Sequence, residues 1–191
     1  MGRQVCGADS GGQGASMIFS PLELEGAFLV EPEPLNDHRG FFARTFCQNE
    51  FREHGLSPVV AQCNISYNAK RGTLRGMHYQ YPDGEAKLVR CVRGRIWDVI
   101  IDLRPDSPTY CLSVGAELSM DNRLMLYIPE HFAHGFLTLD DDVEVFYQMS
   151  EFFTPGQGCG VRWNDPVFSI DWPEPVRVIS GRDDNYPDYR R

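Results

Sequence analysis

Two histidines stand where proton-transfer chemistry could be done. His78 falls in Gly72-Thr-Leu-Arg-Gly-Met-His78-Tyr-Gln80, and His134 in Pro129-Glu-His-Phe-Ala-His134-Gly135. Imidazole is the natural proton carrier near neutral pH. Arg75 lies inside the first segment, and Lys87 follows it, just after Glu85. An ammonium beside a carbonyl can hold the negative charge of an enolate as it forms. Together these side chains suit acid–base work on an anionic or carbonyl-bearing substrate. The same spacing also admits a structural reading, with two satisfied core histidines and a surface arginine.

The two segments approximate the paired motifs of cupin barrels, in which HxH, a later carboxylate and another histidine bind a divalent metal. Here Gln80 occupies the place of the second histidine, and Lys87 lies near the usual carboxylate. An amide is a poor ligand and an ammonium repels a cation. Glu85 keeps a metal reading open on spacing, but no resident metal is expected. The absence of a Gly-rich dinucleotide loop argues against a redox cofactor, so the expectation is no cofactor at all.

Short apolar runs cut by turns must position these residues, a pattern that predicts an all-β domain. Strands are expected over 26–31, 41–46, 87–92, 96–103, 123–128 and 143–147. Asp37-His-Arg-Gly40 reads as a turn, and Asp140-Asp-Asp142 as a solvated turn rather than a metal loop. Residues 87–92 and 96–103, joined at Arg93-Gly94, read as a hairpin. A short helix is expected over 50–54. A cupin-type jelly-roll barrel with a few short helices fits, because closure removes exposed sheet edges. Residues 1–16, Gly- and Ser-rich, read as a disordered leader or a non-native remnant, and 17–191 as one jelly-roll domain.

Composition limits the partners. The 191 residues carry a net charge of −9, which argues against nucleic acid and anionic membranes. No run of about 18 apolar residues occurs to span a bilayer. Six cysteines without any CxxC pair read as reduced thiols in a cytoplasmic protein.

From about Met17 to Tyr189 the chain resembles the dTDP-4-dehydrorhamnose 3,5-epimerase family. The resemblance rests on Asp37-x-Arg-Gly-x-Phe42, Gln62-x-Asn64, Leu74-Arg-Gly-x-His78-x-Gln80, Lys87-x-Val, and Gly94-x3-Asp98 with Asp102-x-Arg104. It continues through Pro129-x3-Ala-His134-Gly-Phe, Tyr147, Trp163-Asn-Asp-Pro166, Ile170-Asp-Trp-Pro173 and Ser180-Gly-Arg182-Asp183. It implies an isomerase that inverts C3, C5 or both in a nucleotide-linked 4-keto-6-deoxy sugar, in dTDP-rhamnose-type deoxysugar biosynthesis. It also implies His78 as base paired with Asp183, Tyr147 as acid on the opposite face, and Lys87 beside the keto oxygen. Arg75, Gln62, Asn64, His134 and Arg182 would surround the substrate, with Asp98 behind His134. Arg39 and Phe42 would clamp the nucleotide from a segment exchanged across a homodimer. Two positions depart from the pattern: Arg44, where the family often has Glu, and Phe153, where it often has Tyr. A single-site epimerase or 3,4-ketoisomerase, a metallocupin, and a non-catalytic sugar-binding cupin are the rival readings.

Overall fold

The computed structural model describes residues 14–190. Most of the expected leader, residues 1–13, therefore lies outside the described residues. Next to β1, Ala15 is buried, and the Ser16 carbonyl accepts the Glu33 N–H at 3.0 Å.

In chain order the strands are β1 (Met17–Pro21), β2 (Phe28–Pro32), β3 (Leu35–Asp37), β4 (Gly40–Phe42), β5 (Gln62–Asn68), β6 (Thr73–Gln80), β7 (Lys87–Arg93), β8 (Arg95–Asp102), β9 (Ser113–Ser119), β10 (Met125–Ile128), β11 (Phe132–Thr138), β12 (Val143–Met149), β13 (Gly158–Gly160) and β14 (Val178–Ile179). Two short helices, α1 (Gln48–Glu53) and α2 (Gly181–Asp184), complete the set. One sheet runs β1-β2-β10-β7-β12-β5; the other runs β13-β6-β11-β8-β9, with β14 parallel to β6. The fold is the all-β cupin jelly roll.

Three expectations need correction. The helix covers Gln48–Glu53 rather than 50–54, and its buried anchor is Phe51. The run 41–46 is strand only to Phe42, in a small β3–β4 hairpin closed where the Arg39 N–H donates to Asp37 Oδ1 at 2.8 Å. The larger error is the hairpin expected at Arg93-Gly94. β7 pairs with β10 and β12, whereas β8 pairs with β11 and β9, so the turn is an arch from one sheet to the other. Gly94, at φ 73°, supplies a left-handed backbone that serves an arch as well as a hairpin. The Asp140–Asp142 turn is held by ion pairs and hydrogen bonds: Asp140 to Arg95, Asp141 to the Arg71 N–H, and Asp142 to Tyr67.

Strand alternation builds the interior. Val143, Val145, Tyr147 and Met149 share one face of β12, and Lys87, Val89 and Cys91 share one face of β7. At one end these faces meet Ile100, Leu118, Leu126 and Phe136 in a dry core. Each fully buried aliphatic side chain there contributes about 1.5–3 kcal/mol. Further along the same strands the inward residues turn polar, and the barrel opens into a cavity. The C-terminal segment packs Phe168, Trp172 and Tyr189 over Met77, Val99 and Ala133 on the outside of the second sheet. That packing carries α2 back to the end of β6.

Candidate active site

The cavity has a volume of about 900 Å³ and is lined from both sheets. β6 contributes Arg75, His78 and Gln80. Its inward face changes parity between Arg75 and His78, at Gly76. The β11–β6 register shifts at the same level, between His134 and Phe136. Gly76 (φ 137°) lies so close to Gly135 that a Cβ on it would come within 2.5 Å of the Gly135 Cα. Two glycines thus let β6 and β11 touch where the catalytic candidates are set.

His78 Nε2 lies 2.7 Å from Asp183 Oδ1, while Asp183 Oδ2 accepts the Gly76 N–H at 3.3 Å. Asp183 sits in the first turn of α2, where its own N–H donates to the Ser180 hydroxyl at 3.1 Å. Ser180-x-x-Asp183 is a helix-capping signature, with the carboxylate directed to His78. An ionised carboxylate only accepts, so Nε2 carries the proton and Nδ1 keeps the lone pair. Burial lowers the His78 pKa below its usual value, against the upward pull of Asp183. The ring is therefore neutral and basic at neutral pH.

Facing it from the other sheet is Tyr147 on β12. Burial pushes its phenol upward, with Arg75 pulling it down and Glu85 adding to the rise. It stays protonated at neutral pH, as a proton donor must. Lys87 Nζ is 2.8 Å from Glu85 Oε1, and the pair is nearly sealed from solvent. The second Glu85 oxygen accepts the Gln80 amide at 3.0 Å, and Gln80 Oε1 accepts the Thr154 N–H at 2.9 Å. The positions that would hold a metal in a metallocupin are thus tied into an ion pair and an amide bridge. Among the described residues no three His, Cys, Asp or Glu side chains group as a metal cage would require. The five described cysteines are free thiols.

A second pair lies deeper. His134 Nε2 is 2.8 Å from Asp98 Oδ1 on β8, and Asp98 is fully buried. Arg75 donates to Asn68 Oδ1 at 2.6 Å. Gln62 and Asn64 line the wall, each with its amide against Met149 Sδ, and Gln62 Oε1 accepts the Phe153 N–H at 3.0 Å. Arg182 lines the rim and donates to the Gly158 carbonyl at 3.1 Å. Of the expected substrate-binding residues, only Arg39 and Phe42 are elsewhere. Both stand on the β3–β4 hairpin, with Phe42 67% exposed and the Arg39 side chain 78% exposed and paired, among the described residues, to Asp37.

The chain matches the family model described as dTDP-4-dehydrorhamnose 3,5-epimerase over residues 21–191. It is 42% identical over 179 residues to the dTDP-4-dehydrorhamnose 3,5-epimerase of Methanothermobacter thermautotrophicus, covering 92% of this chain and 96% of that one. It belongs to the dTDP-4-dehydrorhamnose 3,5-epimerase family. A crystal structure of the Bacillus anthracis 3,5-epimerase with TDP and PPi bound superposes with a TM-score of 0.87 at 37% identity, over 91% of this chain and all of that one. A dTDP-4-dehydrorhamnose 3-epimerase from Streptomyces niveus is 38% identical over 87% of this chain and 81% of its own length.

Seen as a member of that epimerase family, the chain keeps both departures in plain view. Arg44 forms an ion pair with Glu50 of α1 at 2.7 Å. Phe153 lines the cavity mouth, more than half exposed, without the hydroxyl that tyrosine would bring. Glu85 is the residue whose role sequence reasoning missed; it holds Lys87 in place. Its position near the expected metal carboxylate was the available signal.

Proposed function

We propose that the chain epimerises a dTDP-linked 4-keto-6-deoxy sugar at C3, C5 or both, by way of an enolate. The observation that carries this reading is a carboxylate-paired imidazole on one sheet and a phenol on the other, lining the same cavity. The 4-keto group acidifies the hydrogens on the neighbouring carbons. His78 Nδ1 takes such a proton, the C–H electrons form the new C=C bond, and the carbonyl oxygen gains the negative charge. Lys87 and neighbouring donors stabilise that oxygen. Tyr147 delivers its proton to the opposite face, the C=C electrons form the new C–H bond, and solvent restores both groups. A positioned acid or base typically supplies about 10²–10⁴ in rate. The reaction is redox-neutral and calls for no cofactor, placing the enzyme in dTDP-rhamnose-type deoxysugar biosynthesis.

The exposed Arg39 and Phe42 support a homodimer in which each hairpin clamps the nucleotide held by its partner. A solitary hairpin offering Phe41, Phe42 and Leu35 to water is otherwise costly apolar exposure. We read residues 17–191 as a single domain and the enzyme as cytoplasmic; no helix among the described residues is long and apolar enough to cross a membrane. The deciding experiment follows dTDP-4-keto-6-deoxyglucose by NMR in deuterated buffer. Deuterium entering C3, C5 or both with inversion is expected. Exchange at C3 alone would make it a single-site epimerase, and no exchange at either carbon would overturn the reading.

A further inference from the structure

Tyr186 lies just beyond α2 and is absent from the motifs that carry the resemblance. Its ring centroid is 6.3 Å from that of His78, with the planes at 70°, an edge-to-face arrangement. Gly160 explains how it comes to be there. Gly160 is the cross-strand partner of His78 in the β13–β6 register. Cross-strand partners project side chains to the same face of a sheet, so residue 160 would ordinarily put its own side chain beside the imidazole. A Cβ on Gly160 would instead collide with the Tyr186 ring and come within 2.5 Å of its hydroxyl. The ring thus occupies the side-chain slot that the glycine leaves empty. The Arg182 guanidinium sits over the ring at 5.8 Å from its centroid and donates to the Gly158 carbonyl. The Tyr186 hydroxyl is buried and has no hydrogen-bond partner among the described residues.

We infer that Tyr186 is a positioning residue for His78: its ring, seated on Gly160, shields one side of the imidazole from water and holds it edge-on against Asp183. This deepens the proposed function and rests on it for the catalytic consequence, though not for the structural one. The hydroxyl contributes nothing that the ring does not. The groups that face His78 are Asp183 and Arg182 from α2, Lys87 with Glu85 at the start of β7, His134 from β11 and Tyr147 from β12. Tyr79 and Cys159 lie nearby on β6 and β13. Asp183 raises the imidazole pKa, Lys87 and Arg182 lower it, and burial is the largest influence and lowers it. Removing one wall of that burial lets water in and leaves the pull of Asp183 less opposed.

The test measures the His78 titration by NMR on histidine-labelled full-length protein, alongside kinetics with dTDP-4-keto-6-deoxyglucose. Tyr186→Ala is expected to raise the His78 pKa by about half a unit. It is expected to lower kcat about tenfold with KM within about twofold. Tyr186→Phe is expected to match the wild type in both. Gly160→Ala displaces the ring without deleting it and gives the same shift, and in a Tyr186→Ala background it adds nothing further. The inference is overturned if Tyr186→Ala leaves the titration and kcat unchanged, if Tyr186→Phe loses as much as Tyr186→Ala, or if the two substitutions are additive. A wild-type protein that exchanges no protons on the sugar would sink the proposed function, and the NMR titration would still decide the role of Tyr186.

Discussion

The barrel contains two His–Asp pairs built on neighbouring strands, and they are opposite in almost everything but composition. His78 and His134 are register partners across β6 and β11, and each imidazole binds its carboxylate through Nε2, at 2.7 and 2.8 Å. His78 has 42% of its side chain exposed. His134 has 12%. Asp183 is served on both oxygens, by His78 and by the Gly76 N–H. Asp98 has one oxygen on His134 and the other without a partner among the described residues. A fully satisfied carboxylate on a half-open imidazole suits the base of the proposed function. A half-satisfied carboxylate deep in the wall, with a ring that barely reaches the cavity, makes a support. Same chemistry, different access: on the proposed function, the more exposed pair is the one placed to exchange a proton with substrate.

The sharpest way to break that contrast is to remove each imidazole. His78→Ala is expected to lower turnover by about 10³–10⁴ and to abolish deuterium exchange. If His134→Ala did the same while His78→Ala kept exchange, the roles would be reversed. Next comes Asp183→Asn, which leaves the ring in place but in the wrong tautomer; a fall of about 10²–10³ in kcat with little change in melting temperature is expected. Tyr147→Phe is expected to separate two observables. The base survives, so exchange with solvent continues, while inversion falls by about 10². Equal loss of both would show that Tyr147 does not act on the opposite face. Asp98→Asn is expected to act mainly on stability, by about 1–3 kcal/mol in denaturant unfolding, with kcat reduced less than tenfold.

The smallest effect is in pH. Because the His78 pKa is lowered in the folded protein, the base stays neutral through its ordinary pKa of 6.5. The acidic limb of the exchange rate should therefore be centred below pH 6.5. The sign for stability follows: a depressed imidazole pKa favours the fold above the unfolded value and withdraws that support as pH falls through the folded one. An acidic limb centred above 6.5 would contradict the burial of His78.

How much of this could be read beforehand depended on what kind of constraint each residue obeys. Lys87 and Tyr147 lie on strands that the apolar runs mark, and the cavity receives both. Asp183 was legible as a motif, but the four-residue helix holding it was not, since so short a helix has no periodicity. The arch at Gly94 escaped because a left-handed glycine between two apolar runs is identical in text for a hairpin and for a change of sheet. Only the pairing of β7 with β10 and β12, distant in sequence, separates the two. β5 and β6, the strand of His78, went uncalled because their inward positions are polar, as a cavity wall requires, which hides the apolar alternation that marks a strand.

His78 and Asp183 are separated by 105 residues of chain. Translation at about 5–20 residues per second leaves roughly 5–20 s between the emergence of the base and that of its carboxylate. By then every strand of both sheets has been synthesised. The nascent barrel can close its core and shape its walls while the imidazole still lacks the acceptor that fixes its tautomer. On the proposed function, the base becomes competent only once α2 docks and Asp183 reaches His78 and Gly76.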